Sequence, residues 1–177
     1  RRDSHNAKLL RAAAFELSPA TELVLFERLD AVPPYSEDLD GATTPAGAAA
    51  LRAAITDADA VLIATPEYNS SIPGQLKNAL DWASRPYATN ALRDKPVAVV
   101  GASTGIFGAV WAQAETRKVL TAIGARVLEN EVPVGEAHEA FADDGSLRDP
   151  RLRGLLADAL AALVDAARAP DVAEIAA

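Results

Sequence analysis

Two short, unbroken apolar runs stand out in the pattern of hydrophobic and polar positions along the chain. The first covers residues 60–64 (AVLIA) and the second covers residues 97–100 (VAVV). Runs of this length are typical of strands that are buried on both faces, as in a parallel sheet. Each run is followed by small polar residues and then by a segment with helical periodicity, so the order strand, polar loop, helix occurs twice.

The other elements continue this alternation of strand and helix. We expect further strands at 22–26 and 125–128, and helices within the segments 1–17, 46–58, 76–84, 109–123 and 150–169. Such alternation is typical of a parallel sheet with helices on both faces. Long loops over residues 27–45 and 130–148 interrupt it. We expect a single domain over residues 1–169 and a loosely held tail at 170–177.

Local signals mark the ends of several of these elements. Pro66 should end its strand, because proline has no N–H for the ladder. Gly124 is a plausible residue to follow a helix C-terminus, and Asp149 before Pro150 fits an N-cap followed by the first helical position. Either Ser4 or Asn6 could cap the first helix.

The loop after the first apolar run, residues 65–74 (TPEYNSSIPG), carries candidate binding groups. Tyr68 offers a flat aromatic ring, and Asn69 with two serines offers hydrogen-bonding groups. Open α/β sheets bind ligands at the carboxyl ends of their strands, so this loop suits a planar ligand with polar edges. The alternative is an ordinary connection whose polar residues cap the following helix.

The loop after the second run, residues 101–108 (GASTGIFG), is rich in glycine. Glycine lets the backbone approach a ligand closely and adopt positive φ. The spacing does not match the G-x-G-x-x-G dinucleotide fingerprint. At the other end of the chain, Ser4 and Asn6 lie at a helix start, where a phosphate can bind, but taken alone they favour a polar terminus with a capping serine.

Charge and composition exclude several function classes. The net charge of −8 and the pI of about 4.7 argue against nucleic acid and anionic membranes as partners. The chain has no Cys, which excludes a thiol nucleophile and Cys-ligated metals and is compatible with a cytoplasmic protein. His5 and His138 are the only histidines, and no metal-ligand spacing occurs. A site without its own acid, base or nucleophile indicates that a cofactor supplies the chemistry.

Residues 66–82, PEYNSSIPGQLKNALDW, resemble the signature loop of the NADPH-dependent FMN reductase family, a flavodoxin-like group that includes quinone and chromate reductases. The family's phosphate loop has the form G-S-x-R-x-x-S-x-N, and Arg1, Ser4 and Asn6 match its second half. Its third flavin loop has the form G-A-S-x-G-x-x-G, which residues 101–108 match. The resemblance therefore extends over three separated segments.

The resemblance implies a flavodoxin-like, doubly wound, five-stranded parallel sheet in the order 2-1-3-4-5. We expect its first strand, with the Gly-Ser half of the phosphate loop, to lie upstream of Arg1. The three loops would then meet at the switch point of the sheet. The cofactor-binding residues implied are Arg1, Ser4 and Asn6 at the phosphate, Pro66, Glu67, Tyr68, Asn69 and Ile72 along the ribityl chain and ring, and Ser103, Thr104 and Gly105 at the other ring edge.

The activity implied is that of an NAD(P)H oxidoreductase with FMN as cofactor and NADPH or NADH as co-substrate. Hydride would pass to flavin N5 and two electrons onward to a quinone, flavin, azo or metal-oxyanion acceptor by a ping-pong mechanism. No side chain would be catalytic, and Glu67 would act through its backbone, because a carboxylate opposes flavin reduction. The rival hypotheses are a flavodoxin-like electron carrier and a domain that has lost its cofactor and serves as an interaction module.

Similar proteins are homodimers or homotetramers with the flavin near the interface. Trp82, Arg85 and Trp111 are candidate contact residues on that basis, with core packing as the equal alternative for both tryptophans.

Overall fold

Two parallel strands, β1 (Val61–Thr65) and β2 (Pro96–Ala102), form the centre of the sheet in the computed structural model, which describes residues 3–169. Their register aligns Val61 with Val97 and Thr65 with Gly101. Two further strands of two residues each, β3 (Arg126–Val127) and β4 (Pro133–Val134), pair in parallel with β2. β3 joins β2 at its start and β4 joins it at its end, so this side of β2 is covered by an interrupted strand.

Within the described residues, five α-helices cover the two faces of the sheet. They are α1 (His5–Ala12), α2 (Ala46–Asp57), α3 (Gly74–Ala83), α4 (Val110–Ile123) and α5 (Pro150–Arg168). Val97 and Val99 pack into a core cluster with α2, α3 and α4, whereas Val100 and Ala102 pack into a second cluster with α1 and α5. Every residue of β2 is buried, which explains the unbroken apolar run and confirms an α/β fold with helices on both faces.

The predicted helix ends are confirmed at three places. The Ser4 hydroxyl accepts a hydrogen bond from the N–H of Ala7 and caps α1. The Asp149 side chain accepts one from the N–H of Arg151 at 2.8 Å, with Pro150 as the first helical residue of α5. Gly124 ends α4 in the left-handed region, with φ 99°.

The predicted strand at 22–26 is wrong for the part of the chain that the structure describes. This segment forms no ladder with another strand of residues 3–169, and backbone without a ladder partner is not a strand. The last strand is shorter than the predicted 125–128, and β4 lies inside the predicted loop 130–148, because the chain returns to β2 there. The described sheet has four strands, so the five-stranded order stays a prediction. Arg1 and the predicted tail 170–177 lie outside the described residues.

The long loop 27–45 is fixed against α3. Asn78 accepts a hydrogen bond from the N–H of Tyr35 and donates one to the carbonyl of Pro33, both at 2.8 Å. Trp82 donates its indole N–H to the same carbonyl, and its side chain is fully buried with the Tyr35 ring against it. Trp82 is therefore a core residue, and its proposed role at a subunit contact is wrong.

No helix within residues 3–169 is both long enough and apolar enough to cross a membrane.

Candidate active site

Two of the predicted loops and the start of α1 meet at the carboxyl ends of β1 and β2. Thr65 and Gly101 are paired at the ends of these strands, and residues 66–72 and 103–108 follow them directly. The start of α1 reaches the same edge, because the Asn6 side chain hydrogen-bonds the backbone of Ala102. The structure thus brings Asn6 and the two strand-end loops together, whereas Ser4 caps α1 two residues before Asn6 and Arg1 lies outside the described residues.

Asn6 fixes the position of α1 relative to β2. Its amide nitrogen donates to the carbonyl of Ala102 and its amide oxygen accepts from the N–H of Ala102, both at 2.9 Å. The side chain is buried, with only 7% of the residue exposed. In the protein itself, then, Asn6 acts as a partner for the last residue of β2. A direct contact between Asn6 and a phosphate stays a prediction.

Residues 68–71 form a tight turn at the rim. Tyr68 and Ser71 exchange two backbone hydrogen bonds of 3.0 and 3.1 Å. Asn69 and Ser70 between them have φ 53° and 60°, as the two central residues of a type I′ turn require. Asn tolerates this region and Ser does so less readily, so the surrounding contacts must hold the turn. Tyr68, the first residue of this turn, is 57% exposed.

Two carboxylates attach this loop to α4. Glu67 Oε2 accepts hydrogen bonds from the backbone N–H groups of Trp111 and Ala112 at 3.1 and 3.2 Å. These N–H groups lie in the first turn of α4, where a negative charge is favourable. Because the Glu67 carboxylate is occupied by these hydrogen bonds to α4, a contact between Glu67 and a ligand would use its backbone, as predicted.

Glu115 is the second carboxylate, and the sequence analysis missed it. Its Oε2 accepts from the Ser71 hydroxyl at 2.6 Å and from the N–H of Ile72 at 3.2 Å. The Ser71 hydrogen bond, then the Ile72 N–H and the nearby Lys118 charge, lower the pKa of Glu115 below its usual value. A glutamate on a helix surface has no local signature, so only the folded chain reveals this contact.

Two glycines of the second loop, and Gly135 packed against that loop, differ in what surrounds them. A Cβ on Gly108 would lie 2.3 Å from the carbonyl carbon of Pro133, and one on Gly135 would lie 2.4 Å from the carbonyl oxygen of Ile106. Close packing of backbone therefore requires both. A Cβ on Gly105 would contact only the Ser103 hydroxyl, at 3.7 Å. Protein packing does not explain Gly105, which faces open space at the rim.

Ser103 links this loop to β4 and to the following turn. Its N–H donates to the carbonyl of Val134, and its carbonyl accepts from the N–H of Ala137, both at 3.0 Å. Its hydroxyl accepts from the N–H of Gly105 at 3.2 Å. The backbone N–H groups of Asn69 and Thr104 make no hydrogen bond within residues 3–169. Both loops thus present backbone donors that a ligand can use.

Exposed apolar side chains surround these polar groups. Ile106 is 71% exposed and Trp111 is 49% exposed. The Phe107 ring packs edge-on against Trp111 with the centroids 5.1 Å apart. Exposed apolar groups that cluster beside polar ones mark a binding surface.

One cavity lies away from this rim. It measures about 280 Å³ and is lined by polar groups that include Lys95 and Arg126, at the start of β2 and β3. The Lys95 amine donates to the carbonyl of Ala58 just after α2, and Arg126 donates to the carbonyl of Ala166 near the end of α5. These two cations hydrogen-bond carbonyl groups at helix ends. The convergent loops therefore remain the candidate site.

Within residues 3–169, no group of three or more His, Cys, Asp or Glu side chains is arranged to hold a metal ion.

Comparison with known proteins gives matches over most of the chain. Residues 1–139 match the family described as NADPH-dependent FMN reductase. An NAD(P)H-dependent FMN reductase of Pseudomonas aeruginosa is 38% identical over 164 residues, 92% of this chain and 88% of that protein. A 2-hydroxy-1,4-benzoquinone reductase of a Burkholderia species is 46% identical over 119 residues, 67% of this chain and 64% of that protein.

A solved structure agrees with these sequence matches. The flavoenzyme NAD(P)H:(acceptor) oxidoreductase of Paracoccus denitrificans is 38% identical and superposes with a TM-score of 0.82 over 94% of this chain and 91% of its own. The match of the family to more than half of the chain confirms the resemblance stated from the three loops. The chain belongs to the NADPH-dependent FMN reductase family.

Proposed function

We propose that this protein is an FMN-dependent NAD(P)H oxidoreductase that reduces small organic acceptors. The observation that carries the proposal is the convergence of the two strand-end loops and the start of α1 at the carboxyl ends of β1 and β2, in a chain of this family. When bound, FMN would supply hydride and two-electron redox chemistry between NADPH or NADH and the acceptor, with protons exchanged with solvent, in two separate ping-pong half-reactions.

The residues present fit this cofactor. Gly105 leaves open space where a flat ring can approach the backbone. The N–H groups of Asn69 and Thr104 have no acceptor within residues 3–169 and suit the oxygen and nitrogen edge of a flavin. The proposed binding residues are those predicted from the sequence: Arg1, Ser4, Asn6, Pro66, Glu67, Tyr68, Asn69, Ile72, Ser103, Thr104 and Gly105.

The electrostatics of the rim also suit a flavin that gains electrons. Reduction adds negative charge, which fixed N–H donors stabilise and unpaired carboxylates oppose. Glu67 and Glu115 lie close to the rim, but N–H and O–H donors hold both carboxylates against the protein. The Glu67 and Glu115 carboxylates near the rim are therefore already compensated by donors of the protein.

The apolar surface around the site supports flat organic acceptors. Ile106, Phe107 and Trp111 would contact a quinone, a free flavin or an azo compound through burial of apolar area. Metal oxyanions such as chromate would bury little apolar area against these side chains. We propose quinones as the first class to test.

We expect the purified protein to be yellow, or to take up added FMN, and the bound flavin to lose its absorbance rapidly on anaerobic addition of NADPH. Rapid bleaching followed by recovery with benzoquinone supports the oxidoreductase. Bound flavin that NADPH does not bleach would indicate an electron carrier. A colourless protein that takes up no FMN would contradict the proposal and favour an interaction module.

Gly105→Ala should weaken FMN binding about tenfold or more, because the new methyl group fills space that the ligand needs and overpacking costs about 1–3 kcal/mol. The stability of the cofactor-free protein should not fall, since a Cβ there meets no atom closer than 3.7 Å. Fluorescence titration and thermal unfolding measure the two quantities. Gly154→Ala, at an open position of α5, is the matched control and should leave the FMN affinity unchanged. If Gly105→Ala bound FMN as tightly as Gly154→Ala, Gly105 would not belong to the site.

We propose further that the protein is a cytoplasmic homodimer or homotetramer. The half-exposed Trp111 and the exposed Arg85 remain candidate contact residues, and the apolar rim would be partly covered by a second copy. Light scattering at several concentrations tests the oligomeric state.

A fifth strand beside β1 would complete the proposed order 2-1-3-4-5. Leu62 and Ala64 of β1 are only partly buried, and Leu23 packs against the same core cluster as both. Within residues 3–169, β1 pairs only with β2, so its other edge has no ladder partner, which supports a further strand there.

A further inference from the structure

We propose that Glu115 is a positioning residue for the cofactor: its carboxylate holds the turn 68–71 against α4 and so sets the affinity of the site for FMN. The inference rests on the proposed function, since it concerns the same site. Two donors converge on one oxygen, because the Ser71 hydroxyl and the Ile72 N–H both point to Glu115 Oε2, at 2.6 and 3.2 Å.

The contact reaches the rim through Ser71. Ser71 is also the residue that exchanges both backbone hydrogen bonds with Tyr68 and so closes the turn. Asn69 and Ser70 have positive φ inside this turn, a conformation that local preference does not supply. Without the hydrogen bond from Ser71 to Glu115, the turn 68–71 has no side-chain hydrogen bond within residues 3–169. Tyr68 and Asn69 are then held in place less firmly.

The other side of the loop has its own attachment. Glu67 holds the beginning of the loop at the first turn of α4, and the buried Ile72 side chain packs against Ala109 and Ala112. These contacts remain when Glu115 is changed. We therefore expect a local effect on the turn and on the ligand, and no loss of the fold.

The charge of Glu115 is what makes the contact strong. Hydrogen bonds to an ionised acceptor are about twice as strong as bonds between neutral groups. Lys118 on α4 favours the ionised form, whereas Glu67, on the loop side, is compensated by backbone N–H groups. A glutamine has a neutral oxygen in the same position, so Glu115→Gln removes the charge and keeps the size.

We expect Glu115→Gln to weaken FMN binding about three- to tenfold at neutral pH, since part of two charge-assisted hydrogen bonds is lost. In the cofactor-free protein, the Ile72 amide should exchange with solvent deuterium faster than in wild type. Glu129→Gln is the matched control, because Glu129 is an exposed glutamate without a side-chain hydrogen bond or ion pair within residues 3–169. Both quantities should be unchanged in this variant.

A double-mutant cycle with Ser71→Ala tests whether the effect passes through this contact. Ser71→Ala removes the hydroxyl donor, so the double variant should bind FMN no more weakly than the weaker single variant. Full additivity of the two effects would overturn a shared contact and with it the inference.

The pH dependence gives a second readout. A carboxylate with a lowered pKa in the folded state contributes above its ordinary pKa of about 4.3, and the contribution is lost as the pH falls through the lower, folded value. The ratio of the FMN affinities of wild type and Glu115→Gln should therefore be constant near neutral pH and approach one in acid. Titration of the FMN phosphate affects both proteins alike and cancels in this ratio.

The outcomes separate this inference from the proposed function. If wild type binds FMN and Glu115→Gln binds it equally well, with unchanged exchange at Ile72, only the role of Glu115 is overturned. If wild type binds no FMN, the proposed function fails and the inference fails with it.

Discussion

Gly108→Ala should lower the free energy of unfolding by about 3 kcal/mol or more, through two effects of one methyl group. Gly108 has φ 60°, a region that costs an L-residue about 1–2 kcal/mol. The added Cβ would also lie 2.3 Å from the carbonyl carbon of Pro133 and 2.6 Å from the nitrogen of Val134. These are backbone atoms of β4, so they can move only if β4 separates from β2. Denaturant unfolding of the purified variant measures the loss.

A matched variant separates the clash from the backbone conformation. Gly41 also has positive φ, 120°, but a Cβ there meets no atom within 4 Å. Gly41→Ala therefore carries conformational strain without a clash and should destabilise the protein less than Gly108→Ala. A Gly108→Ala protein as stable as Gly41→Ala would show that β4 is not held against this loop.

The two central strands were predictable because each is a run of adjacent apolar residues, although only β2 is buried throughout. β2 alternates its side chains between two helical layers, so each position in it had to be apolar. The segment 22–26 has a strand-like sequence, but a strand also needs a partner, which is a property of the neighbouring chain. β4 has two residues, Pro133 and Val134, too few to show any periodicity.

The same distinction applies to the site: its loops could be predicted from neighbouring residues, but its contacts between distant residues could not. The loops at 66–72 and 103–105 were predictable, because their polar and glycine residues follow the strands in sequence. The roles of Glu115 and Asn6 were not, because their partners lie 44 and 96 residues away. Long-range hydrogen bonds of single polar side chains leave no pattern that one sequence reveals.

Asn6→Ala should both destabilise the protein and abolish tight FMN binding. The substitution removes the partners of the N–H and the carbonyl of Ala102, which lie at the buried end of β2. Each unsatisfied buried group costs about 1–3 kcal/mol, so we expect a loss of about 2–4 kcal/mol in the free energy of unfolding. The start of α1 would also lose its tie to the sheet, and with it the proposed phosphate side of the site. Denaturant unfolding and FMN titration measure the two effects.

Two further variants distinguish the hydrogen bonds between Asn6 and Ala102 from the neighbouring N-cap of α1. Ser4→Ala removes the N-cap of α1, which costs about 1 kcal/mol, but leaves the contact between Asn6 and Ala102 in place. Asn130→Ala removes an asparagine without side-chain hydrogen bonds in the described part of the chain and should change neither quantity. If Asn6→Ala lost FMN binding while keeping wild-type stability, Asn6 would contact the cofactor directly and the tie to Ala102 would be dispensable. If Asn6→Ala lost stability and FMN binding while Ser4→Ala lost only the small contribution of the cap, the contact between Asn6 and Ala102 would be what places the phosphate end of the site, and Ser4 would not be one of its ligands.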